Sequence, residues 1–284
     1  MTNLFCYVNG TYVPADIAAL PMNDLGIVRG YGVFDVLRTY NRKPFHLRAH
    51  IERLQKSAAA IKLTLPWPID ELEQTVQDLL AHNYAAFPEL GNVSVRVIAT
   101  GGPSSTFFTP EQKPSLAILL SPIAPRDEAL YARGARLVTV EMERYMPGVK
   151  SLNYIGAIIA AQEATAAGGI EALYRTPDGL VTEGTRASFF LVKGNQLLTA
   201  KDAVLDGITR RVICELAEKH FKVVVTELPY VSIPEMDEAF VVGTGKEVLP
   251  IIEIDEMMVG DGVPGPVTQK LMTLFQEYVT DYCQ

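Results

Sequence analysis

Two prolines in a seven-residue stretch, Ser121-Pro122-Ile123-Ala124-Pro125-Arg126-Asp127, cut this chain into halves that each carry their own strands and helices. Closely spaced prolines remove backbone donors and fix φ, so the stretch interrupts both sheet and helix. We therefore expect a small N-terminal α+β domain over 1–120, a linker over 121–127 and a larger C-terminal domain over 128–284. In the first half, Asn9-Gly10 between two short runs predicts a hairpin. Residues 32–40 read as a strand. Leu47, Ile51, Leu54, Ala58 and Ile61 recur at spacings of four and three, which predicts a helix over 46–63. A second helix is expected over 69–86. Val93, Val95 and Val97 alternate with Ser94, Arg96 and Ile98 as a half-buried strand does. A continuous apolar strand is expected over 115–120. In the second half a strand over 135–140 leads to a helix over 152–167, stopped by Gly168-Gly169. Strands follow near 172–175, 180–183, 187–193, 223–226 and 238–242, with helices over 208–221 and 267–279. This mixed order favours two α+β domains over a doubly wound sheet.

Composition narrows the function classes. The 284 residues include 25 Lys+Arg and 33 Asp+Glu, a net charge of −8, which disfavours a broad nucleic-acid surface. The 48% hydrophobic content is that of a folded chain rather than a disordered one. Cys6, Cys214 and Cys283 are far apart and match no metal spacing, so a reducing, cytoplasmic setting is expected and a disulfide framework is not. Residues 1–10 lack the basic and apolar segments of a signal peptide. The longest apolar runs, 155–161 and 116–120, are too short to span a bilayer.

Generic motifs mostly fail. Gly243-Thr244-Gly245 begins like a dinucleotide fingerprint, but Val248 holds the third glycine position. Gly245-Lys246 resembles the end of a P-loop, but Glu247 replaces the magnesium-binding hydroxyl. His46 and His50 lie four apart on one helix without a third ligand of suitable type, which reads as two surface histidines; no metal is expected. Three segments do suit one phosphate. Gly207-Ile208-Thr209-Arg210 enters a helix through a glycine and offers free N–H groups. Gly243-Thr244-Gly245 leaves a strand in a small-residue turn. Arg53 stands outside the apolar stripe of its helix.

Taken with Lys150-Ser151-Leu152-Asn153, Glu183-Gly184-Thr185-Arg186, Arg29-Gly30-Tyr31-Gly32-Val33-Phe34-Asp35 and His50-Ile51-Glu52-Arg53-Leu54, these segments resemble, nearly end to end and in order, the fold-type IV pyridoxal-phosphate enzymes. That group includes D-amino-acid aminotransferases, branched-chain aminotransferases and aminodeoxychorismate lyases. The resemblance implies a barrel-like second domain carrying the cofactor lysine, a site between domains and a homodimer in which first-domain loops close the partner's site. It implies pyridoxal 5'-phosphate as cofactor, amino acids and 2-oxo acids as substrates, and no nucleic-acid or membrane partner. Lys150 resembles the lysine that holds the cofactor and moves the proton. Glu183 resembles the carboxylate on the ring nitrogen. Arg53, Ile208, Thr209 and Thr244 resemble the phosphate binders. Tyr154 resembles the tyrosine on the phenolic oxygen, one residue nearer the lysine than in branched-chain enzymes.

Two departures bear on subclass. Ser188 replaces the usual asparagine five residues after the glutamate. The Arg-x-His carboxylate trap of the best-known D-enzymes is missing from the loop Thr100-Gly101-Gly102-Pro103-Ser104-Ser105-Thr106. A substrate carboxylate still needs a cationic partner, and Arg29, Arg96 and Arg186 are candidates, with Tyr31 beside them. The Lys-Ser-Leu-Asn spelling resembles the D-amino-acid enzymes. The reading is therefore transamination between D-amino acids and 2-oxo acids, with branched-chain L-amino acids and then lyase chemistry as alternatives.

Overall fold

Asn9 and Gly10 both take positive φ, 46° and 93°, the backbone a two-residue hairpin turn requires. They join β1 (Phe5–Val8) to β2 (Thr11–Pro14) with Val8 opposite Thr11. The structure, a computed structural model, describes Asn3–Gln284. It divides into two units. The first holds the chain up to Ala124 together with Val149–Asn153 and Tyr282–Gln284; the second holds Pro125–Gly148 and Tyr154–Asp281.

In the first unit the hairpin is followed by α1 (Leu25–Arg29), β3 (Gly32–Tyr40), β4 (Lys43–Pro44), α2 (Leu47–Ala60), α3 (Ile69–Ala86), β5 (Val93–Thr100) and β6 (Ser115–Pro122). The strands form one antiparallel sheet in the order β2-β1-β6-β5-β3-β4. Val93, Val95 and Val97 are fully buried on one face of it, as their alternation predicts. Ile51, Leu54 and Ala58 of α2 and Leu72, Val76 and Leu79 of α3 complete this core. β6 continues to Pro122, which pairs with Val93, so the expected linker loses its first residues to the sheet.

The second unit contains α4 (Glu128–Arg133), β7 (Ala135–Glu141), α5 (Ile155–Ala166), β8 (Glu171–Arg175), β9 (Val181–Gly184), β10 (Ser188–Lys193), β11 (Gln196–Ala200), α6 (Ile208–Ala217), β12 (Lys222–Thr226), a 3-10 turn at Tyr230–Glu235, β13 (Glu238–Gly243), β14 (Glu247–Ile254), β15 (Met257–Met258) and α7 (Pro266–Tyr282). Six of its strands close on themselves as β10-β13-β14-β7-β8-β9, the ring shut by Ser188 opposite Glu183. Closure removes the free edges of those strands. The parallel pairs β7/β8 and β11/β12 are bridged by α5 and α6, because parallel neighbours need a crossover. Phe189, Leu191, Val241 and Leu249 share one core. Phe190 and Phe240 stack on the opposite face as a cross-strand pair, 4.9 Å apart.

One segment departs from expectation. The helix expected from residue 152 starts at Ile155. The residues before it are drawn onto β3: Phe34 N–H donates to the Lys150 carbonyl (2.9 Å) and Leu152 N–H to the Gly32 carbonyl (3.0 Å). A Cβ on Gly32 would lie 2.7 Å from Leu152 Cδ1, so glycine is needed for this approach. Lys150 therefore belongs to the first unit, not to the second as its sequence position suggests.

Candidate active site

β3 directs Val33, Asp35 and Leu37 to one buried face and so carries a carboxylate into an apolar layer. Asp35 has no exposed surface. Arg53, from α2, grips it with Nε on Oδ2 and Nη2 on Oδ1, each at 2.8 Å. His50, one turn earlier on α2, places Nδ1 2.7 Å from Asp35 Oδ1. Burial alone would raise the Asp35 carboxyl, but Arg53 and His50 together hold it well below the usual carboxylate range. Burial pushes the His50 imidazole down against the pull of Asp35, and the Arg53 and Lys150 charges add to that. His50 is thus neutral at pH 7. Asp35 only accepts, so the proton sits on Nδ1.

Lys150 is set beside this cluster. Its backbone N–H donates to Ser57 Oγ on α2 (3.2 Å). Its Nζ lies 4.7 Å from the centre of the Phe34 ring, and the Arg96 guanidinium lies 5.4 Å from the same ring centre.

In the second unit Glu183, at the end of β9, is buried. Arg144 donates Nε to Glu183 Oε1 at 2.9 Å and adds a second, shorter bond through Nη2; Leu205 N–H donates to Oε2 at 3.0 Å. The N-cap of α6 is Gly207, with no side-chain capping bond, so the Ile208 and Thr209 end of the helix keeps donors for an anion. A Cβ on Gly207 would sit 2.8 Å from Ser188 Oγ; the missing side chain lets helix and strand meet there. Ser188 also pairs with Val242, next to the Gly243–Thr244 turn. The turn end is held by Glu247, whose φ is 55° and whose Oε2 accepts from Gln276 at 2.7 Å and from Arg126 at 3.5 Å.

The residues expected from sequence therefore fall into two groups. Arg53 and Lys150 come together in the first unit. Glu183, Ser188, Ile208, Thr209 and Thr244 belong to the second, as does Tyr154, the residue before α5. Two expectations need correction. His50 is not a surface histidine but is 2% exposed, because Asp35 gives it a partner inside; His46 stacks on Tyr282 instead. Arg53 likewise points inward at 8% exposure. The carboxylate candidates Arg29, Arg96 and Arg186 are all exposed; Arg29 donates to the Val28 carbonyl, and Arg96 lies on the Phe34 ring that Lys150 also contacts. The Tyr31 hydroxyl donates to the Ile61 carbonyl at 3.1 Å. Sequence reasoning missed Asp35, Ser57 and Arg144. The i, i+3 pair His50/Arg53 and an aspartate in the inward register of β3 are the signals for the first. Among the described residues no group of three His, Cys, Asp or Glu is placed to hold a metal.

These residues fit pyridoxal 5'-phosphate. They include a lysine amine on an apolar ring, a buried carboxylate backed by an arginine, and a helix start left uncapped where a Cβ would intrude. Comparison with known proteins agrees. The family model for amino-transferase class IV matches residues 32–254. A D-alanine aminotransferase of Listeria monocytogenes is 33% identical over 97% of this chain and 96% of its own. A candidate branched-chain-amino-acid aminotransferase of Methanocaldococcus jannaschii is 32% identical over 97% and 96%. The crystal structure of a T.th. branched-chain amino acid aminotransferase with pyridoxamine 5'-phosphate superposes with a TM-score of 0.90 at 27% identity, covering 99% of this chain and 96% of that one. The family model over residues 32–254 and relatives matched along nearly their whole length make the chain a member of the class IV aminotransferases, enzymes that depend on pyridoxal 5'-phosphate.

Proposed function

We propose that this aminotransferase moves the amino group between D-amino acids and 2-oxo acids. The observation that supports a carboxylate-bearing substrate is the Phe34 ring, which both the Arg96 guanidinium and the Lys150 amine contact. The Lys150-Ser151-Leu152-Asn153 spelling and the Listeria relative support the D-series. Pyridoxal 5'-phosphate supplies the electron sink when bound. Lys150 holds the cofactor and carries the proton at its Nζ. Glu183 faces the ring nitrogen and Tyr154 the phenolic oxygen. Arg53, the Ile208 and Thr209 N–H groups, Thr244 and Ser188 hold the phosphate end. We assign the substrate carboxylate to Arg96, with Arg29, Arg186 and Tyr31 as the further candidates.

The branched-chain reading stays second, favoured by the Methanocaldococcus relative and the T.th. structure. We place the enzyme in the cytoplasm, in keeping with three free cysteines. Among the described residues no helix is long and apolar enough to cross a membrane. We further propose a homodimer. Met22, Ile27, Phe107 and Phe108 are exposed, Met22 by 79% and Phe108 by 75%, on segments tied together by Asn23 and Ser104; a second copy of the chain would cover such a surface. A donor panel of paired D- and L-amino acids with 2-oxoglutarate tests the substrate reading. Turnover of D-alanine or D-glutamate supports it. Turnover confined to L-leucine and L-valine replaces it with the branched-chain reading.

A further inference from the structure

Arg144 lies in the stretch between β7 and α5, outside every motif read from the sequence. It makes two kinds of bond. Its Nε and Nη2 both donate to Glu183 Oε1, and Nη2 also donates to the carbonyl of Pro147, three residues before Lys150. One guanidinium thus anchors the turn that leads to the lysine and occupies one oxygen of the glutamate. The other oxygen, Oε2, takes the Leu205 N–H at 3.0 Å. Both partners of the pair are largely buried, with side-chain exposures of 15% and 7%.

We propose that Arg144 is a positioning residue that presents Glu183 Oε2 to the ring nitrogen of the cofactor and moderates the hold of that carboxylate on the ring proton. This rests on Glu183 being the ring-nitrogen partner. A carboxylate that already balances a guanidinium attracts a second cation less, so the proton leaves the ring nitrogen at a lower pH than it would beside an unpaired glutamate. The cost is a weaker electron sink; the gain is a carboxylate whose oxygens are fixed before the cofactor arrives. The other groups around Glu183 do not take over this role. Tyr174 on β8 is neutral, its phenol pushed up by burial, and Glu171 and Tyr154 lie around that phenol.

The test uses the holoenzyme loaded with ring-15N-labelled pyridoxal 5'-phosphate, without substrate. The 15N chemical shift is followed against pH in the parent and in Arg144→Met, Arg144→Lys and Glu183→Gln. Arg144→Met should move the ring-nitrogen titration upward by about one pH unit, as removal of a neighbouring cation does. Arg144→Lys should bring it back toward the parent, and cofactor affinity measured by fluorescence quenching should fall in the Met variant. If Glu183→Gln shifts the titration and Arg144→Met, shown folded by circular dichroism, leaves it at the parent position, the proposal for Arg144 is wrong while Glu183 keeps its place. If Glu183→Gln leaves the titration unmoved, the ring-nitrogen assignment itself fails. An Arg144→Met variant that does not fold hands the decision to Arg144→Gln, which removes the charge but keeps an amide donor: a parental titration in that variant would overturn the proposal.

Discussion

Asp35 and Arg53 form a two-bonded planar pair inside the first unit, and the carboxylate they share with His50 has no exposed surface. A guanidinium can be brought into an apolar layer only with such a counter-charge, because an unpaired buried ion is costly. The pair therefore aims a cation inward without leaving it uncompensated.

Asp35→Asn should destabilise the protein by about 3–5 kcal/mol, since the substitution strands a buried guanidinium. Urea denaturation of parent and variant measures this directly. The parent should also lose stability as pH falls below about 4, where the unfolded carboxyl takes a proton that the folded one refuses. The variant should lack that part of the acid response. A variant as stable as the parent would show the pair to be ornamental.

His50→Gln should flatten a second, milder slope. The folded imidazole is held below its ordinary value, so the unfolded state binds the extra proton. Stability is then fully present above about pH 6.5 and declines as pH falls from there. Melting temperatures between pH 7.5 and 5 should drop less in the variant than in the parent. Parallel curves would mean that His50 takes up its proton in the folded protein as readily as in the unfolded chain.

Arg53→Ala should weaken cofactor retention by roughly tenfold to a hundredfold, the loss of a charge-assisted hydrogen bond of about 1.5–3 kcal/mol. Equilibrium dialysis against pyridoxal 5'-phosphate is the measurement. The variant also leaves Asp35 without its main partner, so Arg53→Lys, which keeps the charge, serves as the folded comparison.

Lys150→Ala should still bind the cofactor but turn over negligibly. Borohydride treatment of the yellow parent followed by peptide mapping should find the cofactor on Lys150 and nowhere else. An adduct on another lysine would displace Lys150 from the mechanism.

Arg96→Leu should raise the apparent KM for amino acids and 2-oxo acids by about tenfold, the worth of roughly 1.4 kcal/mol. It should hardly change the constant for phenylethylamine, which has no carboxylate. If all constants stay parental, Arg29 and Arg186 become the residues to replace.

Local pattern carried much of the fold. The strand over Gly32–Tyr40 and the helix over Ile69–Ala86 appear with the bounds their periodicity suggests. β14 did not, because Pro250 in its interior argues against a strand, yet Pro250 sits opposite Phe240 in a paired ladder. The start of α5 was misplaced because residues 150–152 spend their backbone bonds on β3, a partner over a hundred positions away that no local window includes. The same holds for the site. Short motifs marked Lys150, Glu183 and Arg53, but Arg144 and Asp35 are defined by what they touch, and a lone arginine or aspartate in a sequence carries no address.

The membership of Val149–Asn153 in the first unit has a consequence for anyone recombining these enzymes. A single splice near Ala124, the natural place to exchange halves between two relatives, would import one parent's Asp35, His50, Ser57 and Phe34 and leave them facing the other parent's Lys150. Such hybrids would be mismatched where tolerance is least. Exchange at three joints, carrying the five-residue segment with its sheet, keeps the lysine among the side chains it grew up with.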